Sequence, residues 1–111
     1  MERSGAESGL CQAMKAADAR GDRYEIHEGE VVVVENDASP MHQALSRALL
    51  RALNARLPAS CLAASEQAVQ LAAEGVDTRR PDLLVVCGQE RQGRYGLLNP
   101  TAIIEILSPS S

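Results

Sequence analysis

The sequence predicts an α+β domain, an α/β arrangement in which one long helix packs on a face of a mixed β-sheet. Three observations carry that expectation. Residues 23–28 and 30–35 are β-prone runs on either side of Gly29, the pattern of a hairpin. Residues 40–57 repeat apolar side chains at helical spacing. Residues 82–87 and 101–107 are aliphatic runs of strand length.

Residues 1–9 hold two glycines and two serines and are expected to be disordered, leaving 10–111 as the folded part. Leu10, Met14 and Ala17 fit a short helix over 10–19, which Gly21 ends. The four valines at 31–34 suit a strand covered on both faces. Asn36, Asp37 and Ala38 form a loop. Ser39 is suited to cap the next helix and Pro40 to open it. In that helix Met41, Leu45, Ala48, Leu49, Ala52 and Leu53 make one apolar stripe. Arg47, Arg51 and Asn54 lie off the stripe, and Pro58 closes the helix. Residues 61–64 and 67–73 suggest two strands or one broken strand. Residues 74–81 read as a turn and 88–100 as a glycine-rich charged loop.

With 111 residues, 45% of them hydrophobic, the chain suits one domain with its own core and not global disorder. Tyr24 and Tyr95 are its only aromatics, so the core is expected to be aliphatic, and base stacking on an aromatic platform is excluded. A net charge of −4 argues against a broad basic face. Cys11, Cys61 and Cys87 fit no zinc spacing, and Cys87 follows an aliphatic run as a buried apolar residue would. Their odd number, without a leader segment, points to a reducing, cytoplasmic setting. No apolar run approaches the length of a membrane span, so no membrane partner is expected.

Two acids stand out. Asp82 opens an aliphatic strand, and Glu105 interrupts the run Ile103-Ile104-Glu105-Ile106-Leu107. A buried carboxylate without a partner costs several kcal/mol, so such positions call for a partner or a cation. If the two strands are neighbours, Asp82 and Glu105 converge, and paired carboxylates suit Mg²⁺. The plainer alternatives are a strand-entry acid after Pro81 and an exposed edge position for Glu105.

Four blocks occur in order: Arg-Tyr-Glu-Ile-His-Glu-Gly-Glu at 23–30, Ser-Pro-Met-His at 39–42, Arg-Pro-Asp-Leu-Leu-Val-Val at 80–86, and Ile-Ile-Glu-Ile-Leu-Ser-Pro-Ser at 103–110. Together they resemble the Uma-two family of restriction-endonuclease-like proteins, a branch of the PD-(D/E)xK nuclease superfamily, over roughly residues 10–111. The resemblance implies a partial restriction-endonuclease-like fold and Mg²⁺- or Mn²⁺-dependent hydrolysis of DNA phosphodiesters. It implies that Asp82 and Glu105 are catalytic metal ligands. It matches the early acid to Glu30, in preference to Glu25, and a family histidine to His42, whose alternative is a polar residue at a helix start. The lysine slot two residues after Glu105 holds Leu107, and the family lysine is expected on a helix after the Ser-Pro-Ser block. The sequence given ends at Ser111, and its one lysine, Lys15, lies in the first helix. By resemblance, then, the chain is the N-terminal portion of a nuclease domain, truncated at the C-terminus, with apolar sheet surface that favours a homo-oligomer. The competing expectations are a non-catalytic remnant serving as an interaction or oligomerisation module, and a small carboxylate-rich binder.

Overall fold

The computed structural model describes residues 5–34 and 39–107. The loop residues Asn36, Asp37 and Ala38 and the closing Ser108-Pro109-Ser110 block lie outside them. Helix α1 (Gly5–Arg20) starts earlier than the sequence suggests. Residues 5–9, part of the segment 1–9 expected to be disordered, are helical, and residues 1–4 lie outside the described residues. Leu10 and Ala17 are buried and fix the helix, and Ala6 and Glu7 are good helix formers through which it extends backward. Gly21, at φ +74°, ends it: the Asp22 N–H returns to the Ala17 carbonyl at 3.0 Å and the Gly21 N–H to Asp18 at 3.0 Å.

Strands β1 (Tyr24–His27) and β2 (Glu30–Val33) form the expected hairpin, with Ile26 opposite Val31. Glu28 and Gly29 both take positive φ, 53° and 82°, as a two-residue turn between twisted strands requires. The valines are not covered on both faces. Val32 and Val33 are exposed, because β2 pairs with β1 alone.

Helix α2 (Pro40–Arg56) begins as its sequence dictates: Ser39 Oγ accepts the His42 N–H at 3.1 Å and Pro40 occupies the first turn. None of its residues is buried, and Met41 and Leu45 at the N-terminal end of the stripe are exposed. The helix packs on β3 (Leu62–Ser65). Asn54 makes the junction. Its Nδ2 donates to the Ala63 carbonyl at 3.1 Å and its Oδ1 accepts the Ala63 N–H at 2.8 Å.

One antiparallel sheet has the order β3–β6–β9, with β6 (Leu83–Val86) central and β9 (Ala102–Ile104) at the edge. Leu83, Leu84 and Val85 are buried, as expected of 82–87. The expected buried strand at 101–107 is instead short and exposed: an edge strand has one neighbour, and Ile103 faces solvent.

A four-stranded sheet is built from pairs the sequence does not announce. Its order is β5 (Thr78–Arg79), β4 (Val69–Gln70), β8 (Leu97–Leu98), β7 (Arg91–Gln92). Strand β4 lies inside the segment 67–73 expected to be a strand, whereas β5 falls in the expected turn and β7 and β8 in the expected loop. Buried Gln70 holds it together: its Nε2 donates to the carbonyls of Ala72, Ala73 and Gly75, and its Oε1 accepts the Tyr95 N–H at 2.8 Å. The β5 segment is also laced to β1. Thr78 Oγ accepts the Ile26 N–H at 3.0 Å, and the Arg80 N–H donates to Glu25 Oε2 at 2.8 Å.

Leu10, Ala17, Tyr24 and Ile26 form the core between α1 and the hairpin, so the core is not wholly aliphatic. Cys61 and Cys87 are joined as a disulfide, contrary to the reading of Cys87 as an unpaired apolar residue. The register explains it. Leu62 lies opposite Val86, which puts residues 61 and 87 opposite each other at the same end of the ladder. The pairing also removes the cysteine argument for a reducing compartment. No helix among the described residues is long and apolar enough to cross a membrane.

Candidate active site

Leu83 pairs with Ile104 at the end of the β6–β9 ladder. Asp82 and Glu105 are the next residues outward on these two strands. Asp82 is half-buried, and Glu105, just past the end of β9, is exposed. Glu105 therefore does not sit inside a buried strand, which corrects the premise that singled it out. Its neighbour still makes it unusual. Asp82 Oδ2 accepts the Ile106 N–H at 2.7 Å, which clips the segment carrying Glu105 to the start of β6.

The Glu105 carboxyl is pushed above its usual range. Partial loss of hydration is the largest cause. The Asp82 charge and a hydrogen bond to the Asp82 side chain also raise it, a hydrogen bond with the Asp82 backbone lowers it, and the charge of Glu25 raises it further. A carboxylate placed beside a second one in this way is a position where a cation is favourable.

Asp82 Oδ1 faces His42 Nε2 at 3.4 Å, both side chains being largely covered. The capped start of α2 places His42 there. Glu25 is held by two contacts, His27 Nε2 at 2.8 Å from Oε1 and the Arg80 N–H on Oε2. Glu30 sits elsewhere, exposed beside the hairpin turn and opposite His27. No contact joins Glu30 to Asp82 or Glu105 among the described residues, so Glu25 and not Glu30 is the hairpin acid near the pair. Glu25 and Glu30 lie on the same face of the hairpin, and what separates them is position along it: Glu25 is bonded to the Arg80 N–H, two residues before Asp82, whereas Glu30 lies beside the turn. Among the described residues no three His, Cys, Asp or Glu side chains form a metal cage by themselves.

A cleft of about 330 Å³ opens beside Asp82 and His42. From α2 it takes Gln43, Ser46 and Arg47 as well as His42, positions that share one helix face. Ser65 and Glu66 at the end of β3 form the facing wall, and Arg23 contributes from the approach to β1. Glu66 has φ +58°, an uncommon backbone for a non-glycine residue, and the Arg80 Nη1 donates to its carbonyl at 3.3 Å. Sequence reasoning missed Arg23, Gln43, Ser46, Arg47, Ser65 and Glu66, of which only Arg23 falls within a motif block.

Comparison with known protein families matches residues 10–111 to Uma-two, described as "putative restriction endonuclease". The chain belongs to the Uma-two family. No curated protein and no solved structure matches it. The Uma-two match spans both helices from Leu10 onward, every strand, and all the acids described above. The α+β architecture is consistent with a restriction-endonuclease-like fold. In this Uma-two chain Leu107, two residues after Glu105, is 87% exposed and supplies no charge to the pair.

Proposed function

We propose that this Uma-two chain carries a divalent-metal site for hydrolysis of DNA phosphodiesters, with Asp82 and Glu105 as the metal carboxylates. The observation that carries the reading is their placement at facing ends of adjacent strands, with Glu105 holding its proton more tightly through partial burial and the Asp82 charge. Mg²⁺ is commonly held by one or two carboxylates, with waters and substrate oxygens completing its shell, so two hard oxygen donors fit it without a third protein ligand. When bound, such an ion supplies Lewis-acid polarisation of the phosphoryl group and a water of lowered pKa.

The chain's own residues have separate tasks. Asp82 and Glu105 supply negative charge at one point. The Ile106 N–H fixes one Asp82 oxygen, and His42 faces the other. Glu25 adds charge near Glu105 and is itself held in place by Arg80 and His27.

A second reading, a non-catalytic interaction module, draws on Leu107 in the lysine slot and on the exposed apolar residues of α2. Mn²⁺ titration and plasmid nicking on the same preparation separate the two. Saturable Mn²⁺ binding lost in Asp82→Asn, with nicking lost in parallel, supports the nuclease. Binding without nicking supports the module, and absence of both removes the metal site.

A further inference from the structure

We infer that Arg47 and Arg23 form a phosphate subsite in the cleft beside Asp82, suited to one phosphodiester of a nucleic-acid backbone. The nucleic-acid carrier rests on the nuclease reading above; the anion subsite itself rests on the cleft.

Arg47 is the residue on which the inference turns. It is exposed, lines the cleft, and makes no hydrogen bond or ion pair among the described residues. Its donors are thus available without breaking any structural contact. A guanidinium presents its donors as a planar fork that matches two phosphate oxygens. Ser46 and Ser65 add hydroxyls on the two walls, and Arg23 a second positive charge. No Phe, Tyr or Trp lines the cleft, and the His42 ring is largely covered and turned to Asp82, so recognition there falls on the charged backbone. Asp82 lines the same cleft and opposes an anion, so neutralising it strengthens the subsite. Arg47 therefore brings to the Asp82 side of the site the positive charge that Leu107 lacks.

The test uses the full chain and inorganic phosphate as the probe. Phosphate is titrated at low ionic strength while the backbone amide signals of Ser46, Arg47 and Ser65 are followed by NMR. Saturable shifts are expected in the wild type. Affinity falls about tenfold or more in Arg47→Ala, the loss expected for a charge-assisted hydrogen bond. It is partly restored in Arg47→Lys and increases in Asp82→Asn. Arg56→Ala, on the same helix but outside the cleft, binds as the wild type does, and Arg47→Ala melts at the wild-type temperature. With a short DNA duplex as the probe, Arg47→Ala also lowers the slope of log affinity against log salt by about 1. No saturable shift, or equal phosphate binding by wild type and Arg47→Ala, overturns the subsite. A parallel Mn²⁺ titration separates the two proposals. Phosphate binding without Mn²⁺ binding supports the subsite and refutes the nuclease reading. Mn²⁺ binding with phosphate binding indifferent to Arg47 refutes the subsite alone.

Discussion

Asp82 and Ile106 are joined by a 2.7 Å hydrogen bond in which the carboxylate accepts the backbone N–H. The bond holds the chain just past β9 against the start of β6. The bond keeps the Glu105 backbone beside Asp82 and so holds the two acids on adjacent strands.

Partial burial, with the Asp82 charge beside it, gives Glu105 a pH dependence. Glu105 binds its proton more tightly in the folded chain than at its ordinary value of 4.5. The native state therefore holds more protons than the unfolded one above that pH, and stability falls as pH rises through the raised pKa. Glu105→Gln should melt higher than the wild type at pH 7.5 without divalent ions. For an exposed carboxylate the gain is about 0.5 kcal/mol, or about 2–4 °C. The gain should vanish below about pH 4.5, where the wild-type group is already neutral. Saturating Mn²⁺ should raise the wild type and not the variant. Thermal melts from pH 4 to 8 check all three.

Thr78→Val tests the lacing of β5 to β1. The hydroxyl of buried Thr78 accepts the Ile26 N–H, and valine leaves that buried donor without its partner. A loss of about 1–3 kcal/mol is expected in urea unfolding, with the slope unchanged. Thr78→Ser, which keeps the acceptor, should lose less.

Gly96→Ala tests the close approach of β8 to β4. A Cβ there would lie 2.8 Å from the Ala68 carbonyl oxygen and 3.0 Å from the Gln70 nitrogen, both backbone atoms. The strands must part to admit it, at about 1–3 kcal/mol. Gly9→Ala, where a Cβ meets nothing within 4 Å, is the control. Chemical denaturation of the two variants should separate them clearly.

Reduction of the Cys61–Cys87 bond should lower stability by about 3.5 kcal/mol, the loop-closure value for its separation of 26 residues. Cys61→Ser with Cys87→Ser should match the reduced wild type. Unfolding curves with and without a reductant measure the difference.

The elements legible in the sequence are those with local signals. Gly29 between β-prone runs marks the hairpin, Ser39-Pro40 marks the start of α2, and the aliphatic run marks β6. Strands β5, β7 and β8 are two residues each, and no periodicity can register in so short a span. They exist because Gln70 and Thr78 bond across the chain, which is invisible locally. The exposure of Val33 and Ile103 was not legible either, since residue type shows what can be buried but not whether a neighbour arrives to cover it. In the site, Asp82 and Glu105 were found through a shared oddity, a carboxylate among aliphatic residues. The reason proved different for Glu105, which stands beyond its strand. Choosing between Glu25 and Glu30 required knowing which hairpin residue lies near the pair. Arg47 belonged to no motif, and only the cleft revealed it.

The junction between Asn54 and Ala63 has a consequence for assembly. A side-chain amide that binds both backbone groups of a strand residue does what a neighbouring strand would do, and then offers no strand to the next. Asn54 is in effect a stopper on the outer side of β3. A strand arriving from another molecule would have to evict it to bond there, whereas among the described residues β9 at the opposite side carries no such plug. A strand added to this sheet would therefore meet the plug at β3 and an open ladder at β9, the side on which Glu105 lies.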